Sequence, residues 1–156
     1  MSEAAAPKQS TFSIEKLYVK DLSLEVPHAP AVFLERESPQ IDLQMHSQAS
    51  TVEDGVFEVT VTVTVTAKLE EKNKVIFLIE VKQAGIFRIQ NLPPEELDPV
   101  LGVVCPNILY PYLREVVSDV AVRAGFAPVL LNPLNFDALY QQQKQQQVEA
   151  VTTTTH

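Results

Sequence analysis

The sequence predicts an α+β domain: a four-stranded antiparallel sheet packed with two C-terminal helices. Three observations carry this. Phe57 to Leu69 alternates strictly between apolar and polar residues. Leu109, Leu113, Val116, Val117, Val120 and Ala124 recur at helical spacing. Strand-period segments all precede helix-period ones, which separates sheet from helices instead of interleaving them as a parallel fold requires.

Taken in order, residues 1–10 read as a flexible arm, small and polar, without the apolar stretch of a secretory signal. Phe12 to Val26 reads as a strand in two phases. Phe12 and Ile14 open it; Leu22, Leu24 and Val26 close it, with Asp21, Ser23 and Glu25 on the opposite face. Pro27 to Pro39 predicts an extended, irregular crossing, because proline joins a hydrogen-bonded ladder poorly. That crossing carries Val32, Phe33 and Leu34 consecutively. Ile41, Leu43 and Met45 alternate with Asp42, Gln44 and His46 as a second strand.

In Phe57 to Leu69, Val59, Val61, Val63 and Val65 face one way and Thr60, Thr62, Thr64 and Thr66 the other. β-Branched residues on both faces leave little room for a helix. At ~3.3 Å per residue this third strand runs roughly 40 Å. Glu70 to Lys74 is a charged turn, and Val75 to Gln83 returns as the fourth strand. Val75, Phe77, Ile79 and Val81 share one face of it; Ile76, Leu78, Glu80 and Lys82 share the other. A half-apolar second face implies that something covers or visits it.

Asn91 to Pro99 is an acidic, proline-rich connector with one turn at Glu95-Glu96. Asn107 is the expected N-cap of the first helix, with Pro111 near its first turn and Gly125 as its stop. Asn132-Pro133 and Asn135 announce a second helix through Phe136, Leu139 and Tyr140. Residues 144–156, rich in Gln and Thr, are expected to be a disordered tail, leaving 11–143 as a single domain.

Composition narrows the function. A chain of 156 residues with 46% hydrophobic content buries one real core. Twenty acidic against twelve basic residues give a net charge of −8, which argues against nucleic acid as a partner. It favours solubility and basic partners. The single cysteine, Cys105, rules out an internal disulfide and fits a reducing compartment, and the apolar runs look too short to insert in a membrane. A cytoplasmic protein is expected.

Catalytic chemistry finds no support. None of the four glycines sits in a phosphate-loop frame, so no nucleotide or other cofactor is expected. His28, His46 and His156 lack metal-ligand spacing. Cys105 fits a small buried residue better than a nucleophile, and Glu95, Glu96 and Asp98 fit a solvated face. We therefore expect no catalytic residue and no metal site. Binding remains, and apolar burial, being non-directional, suits capture of unfolded chains. Among the aromatics, most of which are expected in the core, Phe33 stands out because it lies off any periodic element. An adaptor that oligomerises through its sheet fits the half-apolar fourth strand equally well. An enzyme built on Cys105 is the other alternative.

Four collinear blocks resemble the SecB family of bacterial protein-export chaperones: TFSIEKLYVKDLSLEVPHAP from Thr11, EVKQAGIF from Glu80, CPNILYPYLRE from Cys105 and LNPLNFDALY from Leu131. The resemblance covers roughly Thr11 to Gln143. The resemblance implies an ATP-independent holdase that keeps secretory precursors unfolded and delivers them to the SecA motor of the translocase. It implies SecA contacts at Asp21, Glu25, Leu78 and Glu80, and a client groove lined by Phe33, Tyr110 and Phe136. It also implies a homotetramer, a dimer of dimers, with Ile79 and Val81 at its contacts. Two departures stand out: Ala84 replaces the first of an expected glycine pair, and the tail is Gln- and Thr-rich instead of acidic.

Overall fold

The structure, a computed structural model, describes residues 9–154. All but the last two residues of the expected N-terminal arm lie outside that range. Four strands, β1 (Thr11–Glu25), β2 (Gln40–Glu53), β3 (Val56–Leu69) and β4 (Lys74–Gln90), form one antiparallel sheet in the order β1-β4-β3-β2. β1 and β2 are therefore its edges. β2 and β4 run well past the ends that alternation alone predicted, through Ser50-Thr51 and through Gly85 to Gln90. Pairing with a neighbour on each side holds β4 extended where its own pattern falters. Ala84 lies inside β4 in ordinary extended backbone, so no left-handed conformation is needed there.

Past Pro93 the chain is helical without a break to Arg123: α1 (Pro94–Pro99), a π-helical turn (Val100–Val104) and α2 (Cys105–Arg123). The expected start at Asn107 is thus corrected to Pro94. The start signals lay earlier: Pro94 occupies the first helical turn, and Glu95 and Glu96 sit where the helix dipole favours acids. The π turn has a visible use. Pro106 would clash with the carbonyl of Gly102 in a regular helix, and there the Cys105 N–H reaches back five residues to the Val100 carbonyl.

Within this run of 30 residues an 18-residue window reaches a mean hydropathy of 1.2, so it is long and apolar enough to cross a membrane by length and composition, which the sequence reading did not anticipate. One face of it packs on the sheet. Leu109, Leu113, Val117 and Ala121, four residues apart, are wholly buried against β3 and β4. Gly85 leaves room for the Phe87 ring and for Leu109: a Cβ there would stand 2.8 Å from the ring and 3.1 Å from the Leu109 side chain.

α3 (Phe136–Thr154) continues helical through residues where disorder was expected from 144 on. Its Gln-rich turns carry no Pro or Gly, and Gln is a good helix former. Near its start, Tyr140 donates a hydrogen bond to Asp98, and Lys144 lies 3.2 Å from the same carboxylate, tying α3 to α1.

The buried core is the central strip of the sheet. Val59, Val61, Val63 and Val65 of β3 and Ile79 and Val81 of β4 have no exposed surface. Ile79 and Val81 therefore lie under α2 within one chain, and their side chains offer no surface to a second copy. Period-2 alternation put them together correctly, but on the face that the helix covers.

Candidate functional site

The crossing between β1 and β2 folds into a short 3-10 turn, Ala31–Leu34. Its three consecutive apolar residues take three different fates. Val32 is 3% exposed, Phe33 49% and Leu34 84%. Backbone bonds from Val32 to His28 (2.9 Å) and from Glu35 to Val32 (3.1 Å) fix the turn. Glu35 accepts from Lys72 at 2.9 Å and lies 3.8 Å from Lys74, anchoring the crossing to the β3–β4 turn. Hydrogen bonding from Lys72 holds the Glu35 carboxyl below the usual range.

The far end of α2 meets this turn. Gly125 sits at φ +93 and its N–H bonds the Val122 carbonyl (3.0 Å); the Phe126 N–H bonds that of Ala121 (3.1 Å). This pair of bonds is a Schellman cap. It turns the chain so that Phe126 lies between two rings, Phe33 at 5.3 Å and Phe77 at 4.9 Å between centroids. With Phe33 stacked on Phe126 and Phe77 tilted against it, the rings link a half-exposed aromatic to a buried core one.

Beside the stack opens a groove of about 450 Å³ between the β2 flank and the connection after α2. Ile41, Leu43, Phe77, Phe126, Val129 and Leu130 are among its walls, and Asn132 is the one lining residue with a polar side chain. Leu130 (75% exposed) and Leu43 (46%) are open to solvent. A second groove, about 500 Å³, runs along the outer face of α2, but Arg114, Glu115, Ser118 and Asp119 line much of it. Apolar burial therefore favours the first as a binding surface.

The uncovered face of the sheet is chemically different. Glu25 pairs with Leu78, Ser23 with Glu80, and Asp21 with Lys82. Register partners share a face, so Asp21, Glu25, Leu78 and Glu80 form one patch, a leucine among acids. The sequence placed these residues on two strand faces; the pairing makes them one. Lys82 borders the patch. Farther along the same face Tyr18 donates to Glu58, which Lys20 also contacts at 2.6 Å. Burial and the Glu58 carboxylate push the Tyr18 hydroxyl up to about 12, while hydrogen bonds from Lys20 and Tyr18 hold Glu58 low.

The family model for SecB, described as preprotein translocase subunit SecB, matches residues 5–147. The protein-export protein SecB of Chromobacterium violaceum is 66% identical over 142 residues, covering 91% of this chain and 93% of that one. Its counterpart in Methylobacillus flagellatus is 58% identical over 153 residues, covering 98% and 96%. This chain belongs to the SecB family. A SecB-like chaperone of Mycobacterium tuberculosis, solved with a ChAD peptide from an antitoxin, shares the fold at TM-score 0.64 and 20% identity, covering 79% of this chain and 90% of that one. SecB is a protein-export chaperone family, a non-enzyme kind of protein, and the α+β class expected from sequence is the one seen.

The residues that the SecB resemblance implied fall in different places. Phe33 is half exposed and stacks on Phe126, a wall of the groove, without itself being one of the walls. Tyr110 and Phe136 are buried, 6% and 3% exposed, with rings meeting edge to face at 5.6 Å. Neither presents its ring to the open groove. Tyr110 instead donates a hydrogen bond to the Asn132 backbone carbonyl, so it holds the groove wall from behind. Leu34, noted in sequence as part of the apolar crossing, is exposed, and Ile41, Leu43 and Leu130 are exposed apolar residues that sequence reasoning did not single out. Ile41 and Leu43 carried a signal, an apolar alternation on what proved to be an edge strand. Leu130 lies in a proline-flanked loop and carried none.

Cys105 is wholly buried, and desolvation pushes its thiol up to about 12. At neutral pH it stays protonated, which is poor chemistry for a nucleophile. Among the described residues no group of His, Cys, Asp and Glu side chains gathers to hold a metal ion.

Proposed function

We propose that this SecB-family chain is a cytoplasmic, ATP-independent holdase for unfolded secretory precursors. The observation that carries the reading is the open apolar groove walled by Phe77 and Phe126, with the half-exposed Phe33 stacked on Phe126 beside it. Each aliphatic or aromatic client side chain buried there contributes on the order of 1.5–3 kcal/mol, with little demand on sequence. The peptide bound to the Mycobacterium tuberculosis SecB-like chaperone supports the same use of the fold. Tyr110 and Phe136 serve the groove as its supporting wall, and Phe33 as a contact.

Delivery to the SecA motor falls to the acidic patch. Asp21, Glu25 and Glu80 steer a basic surface, and Leu78 supplies a centre that desolvates on contact. The chain works as a homotetramer, a dimer of dimers. Ile79 and Val81 support that assembly only through the core; the surface offered to a second copy is the edge stripe Phe12, Ile14, Leu22 and Leu24, each 38–47% exposed beside the unpaired side of β1. Gln83, buried next to this stripe, has a side-chain oxygen with no hydrogen-bond partner in a single chain.

The deciding experiment is suppression of aggregation of a reduced, unfolded model protein without nucleotide, for the wild type and Phe33→Ala. Wild-type protection, with faster client release and near-unchanged melting in Phe33→Ala, is expected. Failure of the wild type to protect would leave the adaptor reading in possession.

A further inference from the structure

We infer that Gly125 is a positioning residue of this groove: its missing side chain makes the space in which the Phe33 ring lies against Phe126. The inference rests on the client-groove reading. Gly125 already has a reason to be glycine, since it closes the Schellman cap at φ +93. That reason alone would also admit asparagine, whose side chain tolerates left-handed backbone. The packing adds a second reason, because a side chain here displaces the Phe33 ring. A Cβ at residue 125 would stand 2.9 Å from Cε1 and 3.4 Å from Cζ of Phe33. The closest of these is a separation real Cβ atoms essentially never show, and the ring must move.

Where it moves is constrained. Phe33 sits on a turn held from both sides, by buried Val32 and by Glu35 in its bonds to the β3–β4 turn. The crossing cannot simply retreat, so the ring must swing about its own side-chain torsions toward solvent. That swing takes the Phe33 ring off Phe126, whose centroid lies 5.3 Å away, and strips the groove-lining Phe126 of its outer packing partner. Any side chain at residue 125 therefore acts on clients through Phe33, without touching them.

The test uses the full chain and a fluorescently labelled, reduced and alkylated model polypeptide as client. Release rates and melting temperatures are measured for Gly125→Asn, Phe33→Ala and the double variant. Gly125→Asn should speed release roughly two- to tenfold, the worth of one aromatic contact. In the Phe33→Ala background it should add nothing to release while still lowering the melting temperature through the cap. An equal effect on release in both backgrounds, or none in the wild type while Phe33→Ala alone speeds release, overturns the inference. Unchanged release in Phe33→Ala overturns the groove reading and the inference with it. Should Gly125→Asn fail to fold, folding restored by Phe33→Ala supports the inference, and a double variant that still does not fold overturns it.

Discussion

The centre and the flanks of one sheet face have the same sequence pattern and opposite fates. Val61, Val63, Ile79 and Val81 on the inner strands are fully buried; Leu22 and Leu24 on one edge, and Ile41 and Leu43 on the other, are 38–47% exposed. All alternate in period 2 and all point to the side that α2 occupies. The difference is the width of the cover. One helix about 10 Å across spans the two inner strands, whose spacing is about 4.8 Å, and leaves the two edges bare. Apolar residues in the centre hold the fold together, and those on the flanks are free to hold something else.

The largest expected effect breaks the centre. Ile79→Ala removes a fully buried side chain and should cost about 2–5 kcal/mol, read by denaturant unfolding. Leu43→Ala, on the flank, should change unfolding by well under half of that and instead weaken capture of an unfolded client. Equal destabilisation at both positions would erase the distinction drawn between them.

Charge on the opposite face sharpens the comparison. On the proposed reading, in which rim charges steer one partner and the groove captures the other by apolar contact, Glu25→Lys with Glu80→Lys should weaken SecA binding severalfold and leave client capture nearly intact. Raising the salt from low to physiological should weaken wild-type SecA binding in the same direction. Titration of both ligands against one double variant checks it; a parallel loss of client and SecA would show the two surfaces are not separate.

The smallest effect is in alkali. Cys105 titrates near 9 in the unfolded chain and at about 12 in the fold, and Tyr18 near 10 and at about 12. Between those values the folded state holds protons that the unfolded state has lost, so stability falls as pH rises from about 9 toward 12. Cys105→Ala should flatten the first part of that decline, measured as melting temperature against pH. An unchanged slope would mean the thiol ionises in place.

Local pattern carried much of this protein on its own. The alternation of Phe57 to Leu69, the helical spacing of Leu109 to Ala124 and the stop at Gly125 are properties of single segments, and a segment's period survives any tertiary context that buries one face of it. The four blocks that resemble SecB carried the family. Where the sequence reading missed, a neighbour decided. Pairing on both sides extended β4 through Gly85, and a π turn let the helix that begins at Pro94 run on past Pro106. Which apolar positions are covered depends on where α2 lands, and alternation says only that they share a face. Hence Ile79 and Val81 belong to the core, while Leu43 and Leu130, less conspicuous in sequence, line the groove. The acidic patch is tertiary for the same reason: register between strands more than fifty residues apart put Glu25 beside Leu78, and hydrogen bonds between strands, not the residues' own order, set that register.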